Sequence, residues 1–277
     1  MAAKVHMFTS TPGEMDTNSF LIETAASVVA VDTQFLGTPA RQFRAMLDEI
    51  GKPLRALIIS HPHPDHFNGT DIFLEGLSDI PILATQETLT GIHACATKVR
   101  EKWLPMYGEE YPVLTRFPNQ IIPRQYQLVY DGTEIIVDSI GPGEAVDISI
   151  IYVPESRDLI LGDVLYDRTH AWILEQHSRE WLVQLEDIKK RYAEAKTVYS
   201  GHGGSGSLEL LDEQAAYIRR FREIVAEGSS GDAITPKQKS AVVARIKKTY
   251  PDFKQDWWVA INVDAMAREL GLEVRKA

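Results

Sequence analysis

Apolar runs and helical spacing divide the chain into alternating strands and helices. Leu54-Arg55-Ala56-Leu57-Ile58-Ile59 is an apolar run of strand length and predicts a buried strand. Before it, Arg41 to Ile50 sets Phe43, Met46, Leu47 and Ile50 at helical spacing and stops at Gly51. A second helix is expected from near His66 to Glu75, then a short strand at Pro81-Ile82-Leu83-Ala84 and a helix over 86–104. Residues 105–125 lack a period and are rich in proline and aromatics; Trp103, Met106, Tyr107, Tyr111 and Phe117, at the edge of this insert or within it, either pack it onto the core or wall a pocket. Strands are predicted over 133–139 and 147–153, and an amphipathic helix over Trp181 to Ala195. Residues 207–227 place Leu208, Leu211, Ala215, Ile218, Phe221 and Val225 on one helical face. Gly228-Ser229-Ser230-Gly231 interrupts the pattern, and Thr235-Pro236 fits an N-cap with proline at the first helical position. Helices to about Tyr250 and from about Asp256 to Leu270 follow. The expected organisation is one large α/β domain over residues 1–227 with a helical appendix, 228–277, packed on it.

The loop after the buried strand carries the chemistry. Residues 60–70 read Ser-His-Pro-His-Pro-Asp-His-Phe-Asn-Gly-Thr, so His61, His63, Asp65 and His66 form a His-x-His-x-Asp-His pattern at a strand tip. Pro62 and Pro64 restrict the residues before them to extended backbone, where alternate side chains share a face. His61 and His63 can therefore converge on one ion while Asp65 and His66 reach a second. A solvated polar turn explains none of this spacing.

The pattern resembles that of the metallo-β-lactamase-fold hydrolases, over roughly residues 3 to 225. Thr17-Asn18-Ser19-Phe20-Leu21-Ile22 and Val29-Ala30-Val31-Asp32-Thr33 resemble the family's first hairpin. Gly162-Asp163 after Leu159-Ile160-Leu161 resembles the strand end whose aspartate bridges two metals, and Gly201-His202-Gly203 resembles the last histidine ligand. The resemblance implies a four-layer αβ/βα sandwich with a dinuclear site at one edge. It also implies attack on a small-molecule ester or lactone by a hydroxide bridging two divalent ions, zinc first, with Mn²⁺ or Fe²⁺ as alternatives. Sulfate-ester, thioester or β-lactam cleavage, or a low-turnover sensor that binds a ligand, are the other readings.

One residue departs from the family pattern. Where a histidine usually stands, the chain has Glu144, within Gly141-Pro142-Gly143-Glu144-Ala145-Val146-Asp147. Glu144 either ligates the first ion, stands behind a site completed by Asp147 or water, or leaves that position weak. A carboxylate there lowers the net charge of the site and suits harder ions better than imidazole does. Asp65, besides ligating, could orient the nucleophile and pass its proton to the leaving group. Tyr166, three residues after Asp163, resembles the tyrosine of acyl-homoserine lactonases that contacts the substrate carbonyl; burial in the core is the alternative.

Composition narrows the partners. Lys+Arg 29 against Asp+Glu 39 gives −10, which argues against nucleic acid and leaves a small molecule as the expected partner. A single cysteine, Cys95, excludes an intrachain disulfide. Neither an apolar signal core at the N-terminus nor a run of membrane-spanning length is present, so a cytoplasmic protein with no membrane partner is expected. The C-terminal helices are expected either to cover the site or to pair with a second subunit as a homodimer.

Overall fold

The computed structural model describes residues 3–11, 15–113 and 115–275. The first sheet holds β1 (Lys4–Thr9), β2 (Asn18–Glu23), β3 (Val28–Val31), β4 (Leu54–Ile58), β5 (Ile82–Ala84) and β6 (Gln120–Ile121), side by side in that order. The second holds β7 (Gln125–Tyr130), β8 (Thr133–Ile140), β9 (Ile148–Val153), β10 (Asp158–Tyr166), β11 (Thr197–His202) and β12 (Ser205–Gly206). On the first sheet lie α1 (Gly37–Ile50), the short α2 (Pro64–Phe67) and α3 (Thr70–Phe73), and α4 (Gln86–Tyr107). On the second lie α5 (Ser178–Arg191), α6 (Glu209–Gly228), α7 (Pro236–Thr249) and α8 (Trp258–Glu269).

The layering follows from the two-residue period of extended chain. In β3, Val29 and Val31 enter a core shared with Val137, Ile151 and Ile160 of the other sheet, while Val28 and Ala30 face outward onto Phe43 and Leu47 of α1. In β4, Ala56 and Ile58 face inward and Leu57 outward. Both faces are covered, so these strands read as continuous apolar runs rather than alternating ones. The result is helix, sheet, sheet, helix: the αβ/βα sandwich.

The C-terminal helices complete the outer layer on the second sheet. Val242 and Ile246 of α7 and Val259, Val263 and Met266 of α8 join the same apolar cluster as Leu161, Trp181 and Ile218. The Thr235 cap is as expected: its side chain accepts from the Gln238 N–H, and Gln238 reaches back to the Thr235 N–H. Among the described residues no helix is long and apolar enough to cross a membrane.

Several boundaries differ from expectation. The helix expected from His66 to Glu75 is two short helices, broken at Asn68-Gly69. There the Gly69 N–H donates to the Gln34 carbonyl at 2.6 Å, and a Cβ on residue 69 would lie 2.7 Å from that oxygen. Tertiary contact with the loop after β3 therefore overrides the local helical pattern. Helix α1 begins four residues early, α4 runs to Tyr107, and α5 ends at Arg191. Strand β7 and the parallel pair β13 (Ala233–Ile234) and β14 (Glu273–Val274) lie outside the expected elements: β7 is an edge strand that turns Tyr126, Leu128 and Tyr130 to the core and leaves Gln125, Gln127 and Val129 exposed, and the other two span two residues each.

Candidate metal centre

Strands β3, β4, β5 and β6 run parallel to one another, as do β10 and β11. Loops at the ends of β4, β10 and β11 converge where the two sheets meet. His61 and His63 lie in the loop after β4, and Asp65 and His66 in α2, which begins at Pro64. Glu144 lies between β8 and β9, and His202 ends β11. Asp163 sits in β10, where the register with β11 shifts around Gly162, a residue with φ +54°. Its carboxylate lies across β11 at Gly201, where a Cβ would fall 1.8 Å from Asp163 Oδ1. Glycine at 201 is therefore a condition of the site.

The structure brings together all seven residues expected to hold metal. Donor atoms of His61, His63, Glu144 and Asp163 lie within 4.8 Å of one another, and so do those of Asp65, His66 and His202. Asp163 faces both groups: Oδ2 is 3.6 Å from His61 Nε2 and 3.3 Å from His202 Nε2, and Oδ1 is 3.2 Å from His66 Nε2. Asp65 Oδ2 is 3.5 Å from His66 Nε2 and 3.4 Å from His202 Nε2. Nε2 of His61, His66 and His202, Oε2 of Glu144 and Oδ1 of Asp163 are buried with no hydrogen-bond partner. Buried polar atoms are rarely left this way, and five converging in one place fit a site for cations.

The histidines are aimed from behind. His66 Nδ1 donates to Asp32 Oδ2 at 2.9 Å, and His202 Nδ1 donates to the Met15 carbonyl at 2.8 Å. His61 Nδ1 lies 2.8 Å from Ser60 Oγ, which donates to Asp32 Oδ2 at 2.7 Å. With Nδ1 occupied, the Nε2 lone pair faces the centre. His63 is turned the other way, with Nδ1 3.3 Å from Glu144 Oε1. Thr17 Oγ1 donates to Asp65 Oδ2 at 2.9 Å.

The electrostatics call for positive charge. Burial disfavours protonation of His66 and His202, yet the surrounding carboxylates, Asp163 foremost, hold the His66 pKa well above its usual value and raise that of His202 to about 10. Against its burial, His66 and His202 hold the Asp163 carboxyl well below the usual carboxylate range. Metal ions and protons compete for the same donors.

Glu144 stands in the cluster, and Asp147 does not. Asp147 is buried but occupied: Oδ2 accepts from Thr85 Oγ1 at 2.5 Å and Thr88 Oγ1 at 3.2 Å, and Oδ1 accepts from Ser139 Oγ. It ties the loop that carries Glu144 to the start of α4. Tyr166 is neither a plain core residue nor free. Its Oη lies 2.8 Å from Asp163 Oδ2 and 3.1 Å from Glu144 Oε1, and its ring stacks on His202 at 5.1 Å. Burial, then the charges of Asp163 and Glu144, push its pKa well above the usual phenol value, so the hydroxyl is a donor.

A cavity of about 260 Å³ opens over this cluster, lined by Asp65, Asp163, Tyr166, His202 and four tryptophans: Trp103, Trp172, Trp257 and Trp258. Of the aromatics in and beside the insert, only Trp103 reaches it. Tyr107 and Tyr111 pack edge-on to Phe35, Phe117 packs against Phe67, and Met106 is exposed. The C-terminal segment does line the mouth, through Trp257 and Trp258.

The supports of the site were not singled out by sequence: Asp32, Ser60, Thr17, the Met15 carbonyl and Trp172. Only Asp32 left a trace, as an acidic residue directly after the apolar run Val29-Ala30-Val31.

Comparison with known proteins places the chain. The family model described as Metallo-beta-lactamase superfamily matches residues 12–202. A "Beta-lactamase-like protein 2 homolog" of Caenorhabditis elegans is 24% identical over 79% of this chain and 68% of its own length. A "Metallo-beta-lactamase type 2" of Bacillus sp. (strain 170) is 23% identical over 70% of this chain and 69% of its own. Among solved structures, a metallo-beta-lactamase family protein from Thermus thermophilus superposes with a TM-score of 0.68 at 20% identity, covering 96% of this chain and 92% of that one. A metallo-beta-lactamase from Pontibacter korlensis gives 0.63 at 16% identity, over 79% and 95%.

Proposed function

The chain belongs to the metallo-β-lactamase superfamily, generally metal-dependent hydrolases, and on that premise we propose that it hydrolyses a small-molecule ester or lactone at a dinuclear metal site. The observation that carries this reading is the set of five orphaned, buried donor atoms beneath an aromatic cavity. His61, His63 and Glu144 would hold one ion, Asp65, His66 and His202 the other, with Asp163 between them. Bound divalent metal, zinc being the best match to this mixed imidazole and carboxylate set, would polarise the carbonyl and lower the pKa of water enough to supply a nucleophile near neutral pH.

The chain's own groups do the rest. Asp65 lines the cavity, and Thr17 holds one of its oxygens; its carboxylate is placed to take a proton from water and deliver it to the leaving alkoxide. Tyr166 keeps its proton and presents it beside Asp163, where it can turn to the oxygen that gains charge as the carbonyl is attacked. Four tryptophan side chains limit access of bulk water and favour an apolar acyl or aryl body.

The test is an assay of metal-loaded protein against lactones, aryl esters, sulfate esters and β-lactams. Turnover of a lactone or ester, abolished by a chelator and restored by zinc, is expected. Full metal loading with turnover confined to another class, or none, would overturn the proposal.

A further inference from the structure

We infer that Lys98 and Lys102 form an anion subsite at the mouth of the cavity, so that the substrate is an ester or lactone whose apolar body carries a separate carboxylate. The inference rests on the hydrolase reading for the scissile bond, but the subsite is argued from α4 itself.

Four residues of α4 line the cavity: Lys98, Val99, Lys102 and Trp103. They are two pairs at i, i+4 and so share one face of the helix. Val99 and Trp103 are half-buried and form apolar wall, while the two lysines are exposed beside them. The Lys102 ammonium lies 4.3 Å from the centre of the Trp103 ring, which holds its charge against the wall of the cavity. Neighbouring cations are engaged in structure. Arg100 donates to the Val113 carbonyl, and Arg116 pairs with Asp71 at 2.8 Å. Lys98 and Lys102 make no ion pair among the described residues, in a chain whose net charge is −10.

The acidic groups in the same cavity do not explain the lysines. Asp65 is held by Thr17 and faces His66 and His202; Asp163 is held by Tyr166 and faces three histidines. Both are committed to the metal cluster. Two lysines without an ion pair, lining an apolar cavity that ends at the cluster of metal-type donors, match a three-part molecule. Its reactive carbonyl lies at the cluster, its body against the tryptophans, and its anionic end at α4. Screening by solvent keeps each contact modest, so together they should change affinity roughly five- to tenfold and respond to salt.

The experiment measures binding and turnover separately on metal-loaded protein, wild type and K98A/K102A. Quenching of the cavity tryptophans reports binding of phenylbutyrate and of its neutral amide at low and high salt. The wild type should bind the acid several-fold more tightly than the amide. The double substitution or high salt should remove that preference while metal content and amide binding stay unchanged. Equal binding of acid and amide by the wild type would overturn the subsite. So would a preference that survives in K98A/K102A, because the carboxylate would then be meeting the metal cluster instead. With aryl esters that do or do not carry a remote carboxylate, KM for the charged ester alone should rise in the variant, with kcat unchanged. A lysine-dependent preference in binding, with no turnover of either ester, would support the subsite and overturn the hydrolase reading. Turnover without lysine dependence would do the reverse.

Discussion

Asp32 sets the aim of two imidazoles at once: it accepts from His66 Nδ1 and from Ser60 Oγ, the neighbour of His61 Nδ1. The candidate ligands stand out because metal chemistry restricts such residues to a few types, here histidine and carboxylate at short spacing, and the turn from Ser60 to His66 compresses four of them. Asp32 is one acidic residue among many, and its role exists only because β3 and β4 lie side by side, 28 residues apart in sequence at the Asp32 and Ser60 contact. The Asp32→Ala protein should bind metal on the order of 10- to 100-fold more weakly, since two imidazoles lose their orientation; competition with a chelator measures this. Tyr166→Phe should keep its metal and lose about tenfold in kcat, the equivalent of ~1.4 kcal/mol for one hydrogen bond to developing charge. An unchanged kcat would leave Tyr166 only as packing for His202.

At the scale of elements, apolar period located the main helices and the strands β4, β5, β8 and β9, and the runs of β2, β3, β10 and β11 came with the family resemblance; element ends were set by neighbours the sequence does not display. The break at Gly69 answers to Gln34, and the loop between α7 and α8 answers to the segment after β10, at Arg168 and His170, and to the loop after β1. In that loop, Lys254 pairs with Asp16 at 2.8 Å, directly after Met15, whose carbonyl orients His202. His170 fastens the same loop. It is buried, with Nδ1 2.9 Å from Tyr217 Oη of α6 and its ring packed on Tyr250 and Phe253. Burial lowers its pKa to about 4, against 6.5 for an ordinary histidine. The unfolded chain therefore takes up a proton below about pH 6.5 that the folded chain refuses until about pH 4, so this contribution is present above 6.5 and lost across that window. In denaturation curves, the wild type should lose on the order of 1–3 kcal/mol more than His170→Phe between pH 7 and 4. Parallel pH dependence of the two proteins would remove His170 from this role.

For the whole molecule, two six-stranded sheets meet along a shared core, and the site lies at the seam because the segments after β4 and β8 and the C-terminal ends of β10 and β11 all reach it. The four-layer plan followed from a resemblance carried by short motifs rather than from periodicity, which cannot say that two sheets pack face to face. The same gap hid the role of the C-terminal segment. Helices α7 and α8 are legible as helices, but only their packing on α6 turns Trp257 and Trp258 toward the histidine and carboxylate cluster. We propose that Glu144 takes a histidine's place with no loss of an ion from the site. Elemental mass spectrometry of protein purified without added metal, wild type beside Glu144→Ala, tests it most directly. Near two ions per chain are expected in the wild type and near one in the variant. One ion in the wild type, or the same content in both proteins, would contradict it.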